Sequence, residues 1–374
     1  ESKTGSIDSK TLVERVVKTV GKRIKVAGGA ELSDVSAAYG GGSQRSTART
    51  MLELGQGSRT WVIYRLLKEL NIPVALAVAE TEPFSASPDF PPHFGRFRHP
   101  LLIARVDQSE VWIDADVEGP PLPPGRISPE LRGRSAMLQG GKIITVQGTG
   151  GENGDEADLA LTLDEKGNAK GTVVLKIHGR AAQSLADALD VIVGTERRQM
   201  LQAIVLGWLP WADVEQVALT SSEGSWEVEI RATVKIVGYA QPLGQDAATW
   251  VLPGIEPVHF TFPRAFSGTL GATYASRGAR QSALSIDSPL QYRVRRTITL
   301  PSGAQIIRRP EQVTVVGKQL EASRSGKYGA VIEEDFVLNL PTGTISADVY
   351  PAFVEKVRAI DDGFMAGTRV RAKP

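Results

Sequence analysis

The chain has 374 residues, 41% of them hydrophobic and 23% charged, which excludes wholesale disorder, collagen and coiled coil and leaves room for two domains. Lys and Arg total 43 against 42 Asp and Glu, a net charge of +1, so no bulk attraction to nucleic acid or anionic lipid is expected. Cysteine is absent, which removes disulfides, thiolate metal sites and a thiol nucleophile.

From Ser9, the residues Leu12, Val13, Val16, Val17 and Val20 form an apolar stripe at helical period. A loop at 36–45 carries Gly40, Gly41 and Gly42, and a short helix over Ala48–Leu54 stops at Gly55. The clearest helix begins near Ser58, buries Trp61, Val62, Tyr64, Leu66, Leu67 and Leu70, and ends at Asn71 before Pro73. Val74–Ala79 reads as a strand, followed by a Pro-rich loop at 82–92. Leu101–Val106 and Val111–Asp114 read as a hairpin turning at Asp107-Gln108-Ser109. Glu118–Pro129 carries five prolines and two glycines and is expected to be irregular. Gly148–Glu156 is Gly-rich, acidic and nearly free of apolar residues, which predicts a linker.

Beyond it, Asp158–Leu163 and Ala169–His178 flank the turn Asp164–Asn168, and one long helix is expected over about Ala181–Leu209. Strands follow at Val214–Thr220, Trp226–Val237, Gln291–Leu300, Gln305–Ile307, Glu311–Gly317, Gln319–Ser325 and Ala330–Leu340, with a tight connection between Leu300 and Gln305 and a last helix over Ala347–Ala359. The reading is an α+β protein: a core over 9–147, a linker over 148–156, and a mostly antiparallel β domain with two helices over 157–374. No apolar run reaches the roughly 18 residues of a membrane span. The sequence opens on Glu1 with no signal-peptide pattern, and is expected to be part of a longer chain.

The four histidines, His93, His99, His178 and His259, show no metal-ligand spacing, and no phosphate-binding loop is present. No metal, nucleotide or other cofactor is expected. One set of residues does suit acyl chemistry. Ser58 opens the buried helix after a Gly-x-Gly turn, His99 precedes one hairpin strand and Asp114 ends the other. That is nucleophile, base and orienting acid in chain order, and the helix start offers dipole and free N–H groups to an oxyanion. Each residue also has a plainer reading. Ser58 fits a helix N-cap, His99 fits a buried partner of Asp114 without turnover, Asp114 and Asp116 fit turn formers at a strand end, and Trp112 fits the core.

Gly55-Gln56-Gly57-Ser58-Arg59-Thr60 with its helix, Phe97-Arg98-His99-Pro100-Leu101-Leu102, and Val111-Trp112-Ile113-Asp114-Ala115-Asp116 resemble the nucleophile helix, histidine strand and aspartate strand of the bacterial transglutaminase-like, papain-like superfamily. Gly125–Met137, Leu159–Leu175 and Val228–Tyr239 resemble a subgroup with a β-rich domain after the core. The resemblance runs from about residue 10 over most of the chain. It implies a papain-like core, a catalytic Ser58, His99 and Asp114, substrate-binding Gln56, Arg59 and Trp112, and a periplasmic or envelope-associated location with a polypeptide or envelope-protein partner. The family's nucleophile is cysteine, and position 58 is serine. Four readings stay open: a degenerate module with little or no turnover, a cysteine-type acyltransferase or amidase whose nucleophile was replaced by Ser58, a serine-dependent amide hydrolase, and a plain scaffold whose two domains only space out other modules. Arg59 would set a fixed positive charge against cationic substrates.

Overall fold

A computed structural model of the chain describes residues 8–25, 47–81, 96–117, 119, 121–150, 154–209, 211–221, 227–244, 246–255, 269–286 and 289–372. The glycine loop at 36–45, the Pro-rich loop at 82–92, Trp226, His93 and His259 lie outside these. Two compact units, Glu1–Gly151 and Glu152–Pro374, divide the chain. The division falls inside the stretch read as a linker, but that stretch is mostly strand, because Thr149–Gly150 and Gly154–Leu163 are both paired.

The first unit contains helices α1 (Ser9–Arg23), α2 (Ala48–Leu54) and α3 (Arg59–Glu69). Strands follow as β1 (Val74–Glu80), β2 (Phe97–Val106), β3 (Ser109–Ile113), β4 (Arg126–Ile127), β5 (Ser135–Leu138), β6 (Ile143–Thr145) and β7 (Thr149–Gly150). Five of them form an antiparallel sheet in the order β3-β2-β1-β5-β6. Strand alternation gives this sheet two apolar faces. Val13, Val17 and Val20 of α1 and Val62, Ile63 and Leu67 of α3 pack with Leu76, Leu102 and Ile113 in one cluster. Ala77, Leu101, Ile103 and Trp112 pack with Ile127, Leu131 and Val146 in another. Asp107 and Gln108, with φ of 47° and 67°, close β2 onto β3 by a two-residue turn whose twist matches the strands. That turn fixes the register Leu102↔Ile113, which decides where the residues flanking the hairpin meet.

The second unit adds β8 (Gly154–Leu163), β9 (Ala169–His178), α4 (Arg180–Asp190), α5 (Gly194–Trp208), β10 (Ala212–Ser221), β11 (Glu227–Ile236), β12 (Gln241–Leu243), β13 (Asp246–Leu252), α6 (Leu270–Tyr274), β14 (Leu284–Ile286) and β15 (Leu290–Thr299). It closes with β16 (Gln305–Arg308), β17 (Val313–Val315), β18 (Glu321–Tyr328), β19 (Val331–Leu340), β20 (Gly343–Ile345), α7 (Tyr350–Met365) and β21 (Thr368–Arg371). Its main sheet runs β10-β11-β9-β8-β15-β19-β18-β17. Two antiparallel halves meet at a parallel pairing of β8 with β15.

Two expectations are corrected. The long helix is two helices: the β-branched run Val191-Ile192-Val193 leads into Gly194 at φ 61°, a combination that disfavours a continuous helix. The described residues of this unit hold four helices rather than two. The tight connection at Pro301–Ala304 forms, with the Ala304 N–H donating to the Pro301 carbonyl at 3.1 Å. β16 leaves for another sheet and pairs with β21.

Candidate functional site

The turn into α3 depends on glycine. Gly55 caps α2 in the left-handed region, and Gly57 sits at φ 132°, where a Cβ would lie 2.8 Å from Met51 Cγ. Gln56 between them is exposed, and its backbone bridges to Lys25. Ser58 then caps α3, its Oγ accepting from the Trp61 N–H at 3.1 Å. The same hydroxyl donates to Asp116 Oδ2 at 2.7 Å. Asp116 Oδ1 accepts from the Arg59 and Thr60 N–H groups at 2.7 and 3.2 Å. The helix start therefore does not offer these N–H groups to an oxyanion as expected: Asp116 takes two and Ser58 takes the third. A carboxylate there also neutralises the positive end of the helix dipole.

Arg59 has a different task from the one the resemblance implies. Its side chain is buried, and Nε donates to the Ile24 carbonyl at 2.7 Å. Nη1 donates to the Val117 carbonyl at 3.2 Å, the Ala115 carbonyl at 3.4 Å and the Gly119 carbonyl. The guanidinium clamps the segment that carries Asp116 onto α3, and its charge faces backbone instead of substrate. Trp112 is likewise a core residue, 4% exposed.

His99 lies on β2 and Asp114 directly follows β3, so the hairpin register brings them together. His99 Nε2 and Asp114 Oδ1 are 2.7 Å apart. Asp114 is fully buried, and its Oδ2 accepts from the Ser128 N–H at 2.9 Å and the Ser128 Oγ at 2.5 Å. Burial alone would pull the imidazole down. The Asp114 carboxylate and its hydrogen bond outweigh this, and His99 titrates above the ordinary histidine range, with smaller help from Asp116 and Glu130. Burial would likewise raise Asp114, but His99 and Ser128 hold it below the ordinary carboxylate range. Asp116 goes the other way: burial pushes its carboxyl up, against the hydrogen bonds from Ser58 and Thr60.

The arrangement thus contains an oriented His–Asp pair and a serine whose proton points at a different carboxylate, since the Ser58 hydroxyl donates to Asp116 and not to His99. Asp116 and Ser128 are the two polar residues that sequence reasoning underused. Asp116 stood in the right motif but read as a turn former. Ser128, just before Pro129 at the start of a short 3-10 turn, carried only the weak signal of a capping residue. Among the described residues no group of His, Cys, Asp and Glu is placed to hold a metal ion.

The chain is an α+β protein whose first unit carries the serine, histidine and aspartates together. No protein-family model and no curated protein matches it. Its fold is similar to a solved structure from Parabacteroides distasonis, of a protein described as a candidate protease, with a TM-score of 0.52, 11% identity and 98% of this chain covered. The chain spans about half, 52%, of that protein's length. At that identity the likeness concerns the fold alone.

Proposed function

We propose that the first unit is a degenerate transglutaminase-like, papain-like module of the cell envelope, which binds polypeptide and has little or no turnover. The observation that carries this reading is the bonding of Ser58. A serine nucleophile must hand its proton to a general base during attack. Here the proton is already engaged by Asp116 at 2.7 Å, while the oxygen accepts from the Trp61 N–H. Ser58 is 4% exposed, so a substrate carbonyl would have to displace these bonds before reaching Oγ. The motif resemblance at Gly55–Thr60, Phe97–Leu102 and Val111–Asp116 supports the choice of family.

A fluorophosphonate probe and amine-acceptor and peptide-amide substrates test the reading on the natural chain. The expected result is no labelling and no turnover above a His99→Ala control. A second reading, a serine-dependent amide hydrolase, is favoured by the retained His99–Asp114 pair. Stoichiometric labelling of Ser58 that is abolished by H99A would establish it in place of the first.

A further inference from the structure

We propose that Asp116 disfavours negative charge at position 58, so that the module is silenced by charge as well as by the absence of sulfur. This rests on the module reading above and deepens it. In a papain-like site, a nucleophile at a helix start is made anionic by two aids, the positive end of the helix and a neighbouring imidazolium. Asp116 opposes both. Its Oδ1 occupies the Arg59 and Thr60 N–H groups that would otherwise face the nucleophile, and its Oδ2 sits 2.7 Å from Ser58 Oγ. A carboxylate at hydrogen-bond distance strongly disfavours a second negative charge beside it.

Among the described residues, the nearest charges are already engaged with other partners. From β2, His99 is the available cation, but its Nε2 is already paired with the Asp114 carboxylate that follows β3. Glu130, from the 3-10 turn Pro129–Leu131, adds a further negative field at the imidazole. On α3 itself, the Arg59 guanidinium turns to the carbonyls of Ile24, Ala115, Val117 and Gly119. That clamp also holds the chain on either side of Asp116, so the carboxylate is fixed over the helix start from two directions. Burial raises the Asp116 carboxyl itself, so its negative charge acts on position 58 only above that raised titration.

These 374 residues contain no cysteine, so Ser58→Cys introduces a single thiol whose ionisation can be read without background. The measurement is the rate of iodoacetamide alkylation against pH, with each variant normalised to its own high-pH plateau to remove differences in access. In S58C the thiol should titrate above the ordinary value of about 8.5. In S58C/D116N, where the amide oxygen still accepts from the helix N–H groups, the charge is gone and an amide N–H faces the sulfur, it should fall by at least about one unit, an alkylation rate about tenfold faster at pH 7. S58C/D116S serves as a second neutral replacement, and where neither double variant folds the S58C titration alone decides. An S58C thiol that titrates at or below its ordinary value, or two folded neutral variants that leave it unmoved, would overturn the proposal. A natural chain that labels at Ser58 would overturn the module reading instead, because the thiol titration does not depend on turnover.

Discussion

Asp114 illustrates how one residue can hold a site in place without any ligand. One oxygen fixes His99 and the other takes two bonds from Ser128, so the imidazole orientation rests on a serine 14 residues away. Ser128→Ala removes one hydrogen bond to a charged group, a loss of about 1.5–3 kcal/mol, which urea unfolding of the variant should show. The pair also shapes stability against pH. Asp114 is depressed, so its contribution is present above the ordinary carboxylate pKa and is lost as pH falls through the depressed one. His99 is raised, so its contribution is present below the ordinary imidazole pKa and is lost as pH rises through the raised one. The pair is therefore fully effective between about pH 4 and 6.5. The stability gap between the natural chain and His99→Gln should be widest in that window and narrow on either side. A gap that is constant from pH 4 to 9 would mean that the imidazole charge contributes nothing.

Elements differ in how much of them local sequence decides. The turn before α3 is a local feature. Gly57 combines a positive φ with contact against Met51, so Gly57→Ala should destabilise the first unit by about 1–3 kcal/mol. Adding Met51→Ala should not recover the backbone part of that loss, as thermal unfolding of both variants would reveal. Helix α3 was legible for the same reason: a capping serine, a wide apolar face and a stop before Pro73 all lie within a dozen or so residues. The β2–β3 and β8–β9 hairpins were legible from alternation and turn residues. The break between α4 and α5 was not, because the apolar stripe from Leu185 to Val205 continues across it and hides three β-branched residues. The parallel pairing of β8 with β15 joins segments that turn chemistry does not connect. At the site, His99 and Asp114 were legible because one hairpin register carries both. Asp116 was not, because it caps a helix 56 to 58 residues earlier in the chain, and such a cap is visible only after folding.

At the scale of the whole chain, both units are built around apolar cores, and each adds buried polar bonds of its own. The first relies on apolar layers above and below its sheet. The second carries, besides its apolar core, a buried ionic network towards the β17 side of its largest sheet. Glu334 on β19 accepts from Arg296 of β15 at 2.9 Å, from Arg324 of β18 at 2.7 Å and from Tyr328 at 2.9 Å. Arg296 also reaches the Pro253 carbonyl at 2.6 Å, and Arg324 reaches the Gly363 and Ala366 carbonyls at 2.5 and 2.7 Å. The network thus joins three neighbouring strands to α7 and to the segment after β13. Burial would raise Glu334, but the two guanidiniums hold it low, and the neighbouring Tyr328 is pushed up to about 12. Because Glu334 is depressed, its contribution is present above the ordinary glutamate pKa and is lost as pH falls through the depressed one. Removing one partner of such a network leaves charges buried without compensation, which typically costs about 3–5 kcal/mol, whereas exchanging all partners for apolar residues is often neutral. Glu334→Gln should therefore destabilise the second unit by about that amount. Urea unfolding, followed by tryptophan fluorescence and by hydrogen exchange within residues 154–372, separates the two units. A loss below about 1 kcal/mol for E334Q would show that the guanidiniums find other partners and that the carboxylate is not the centre of the network.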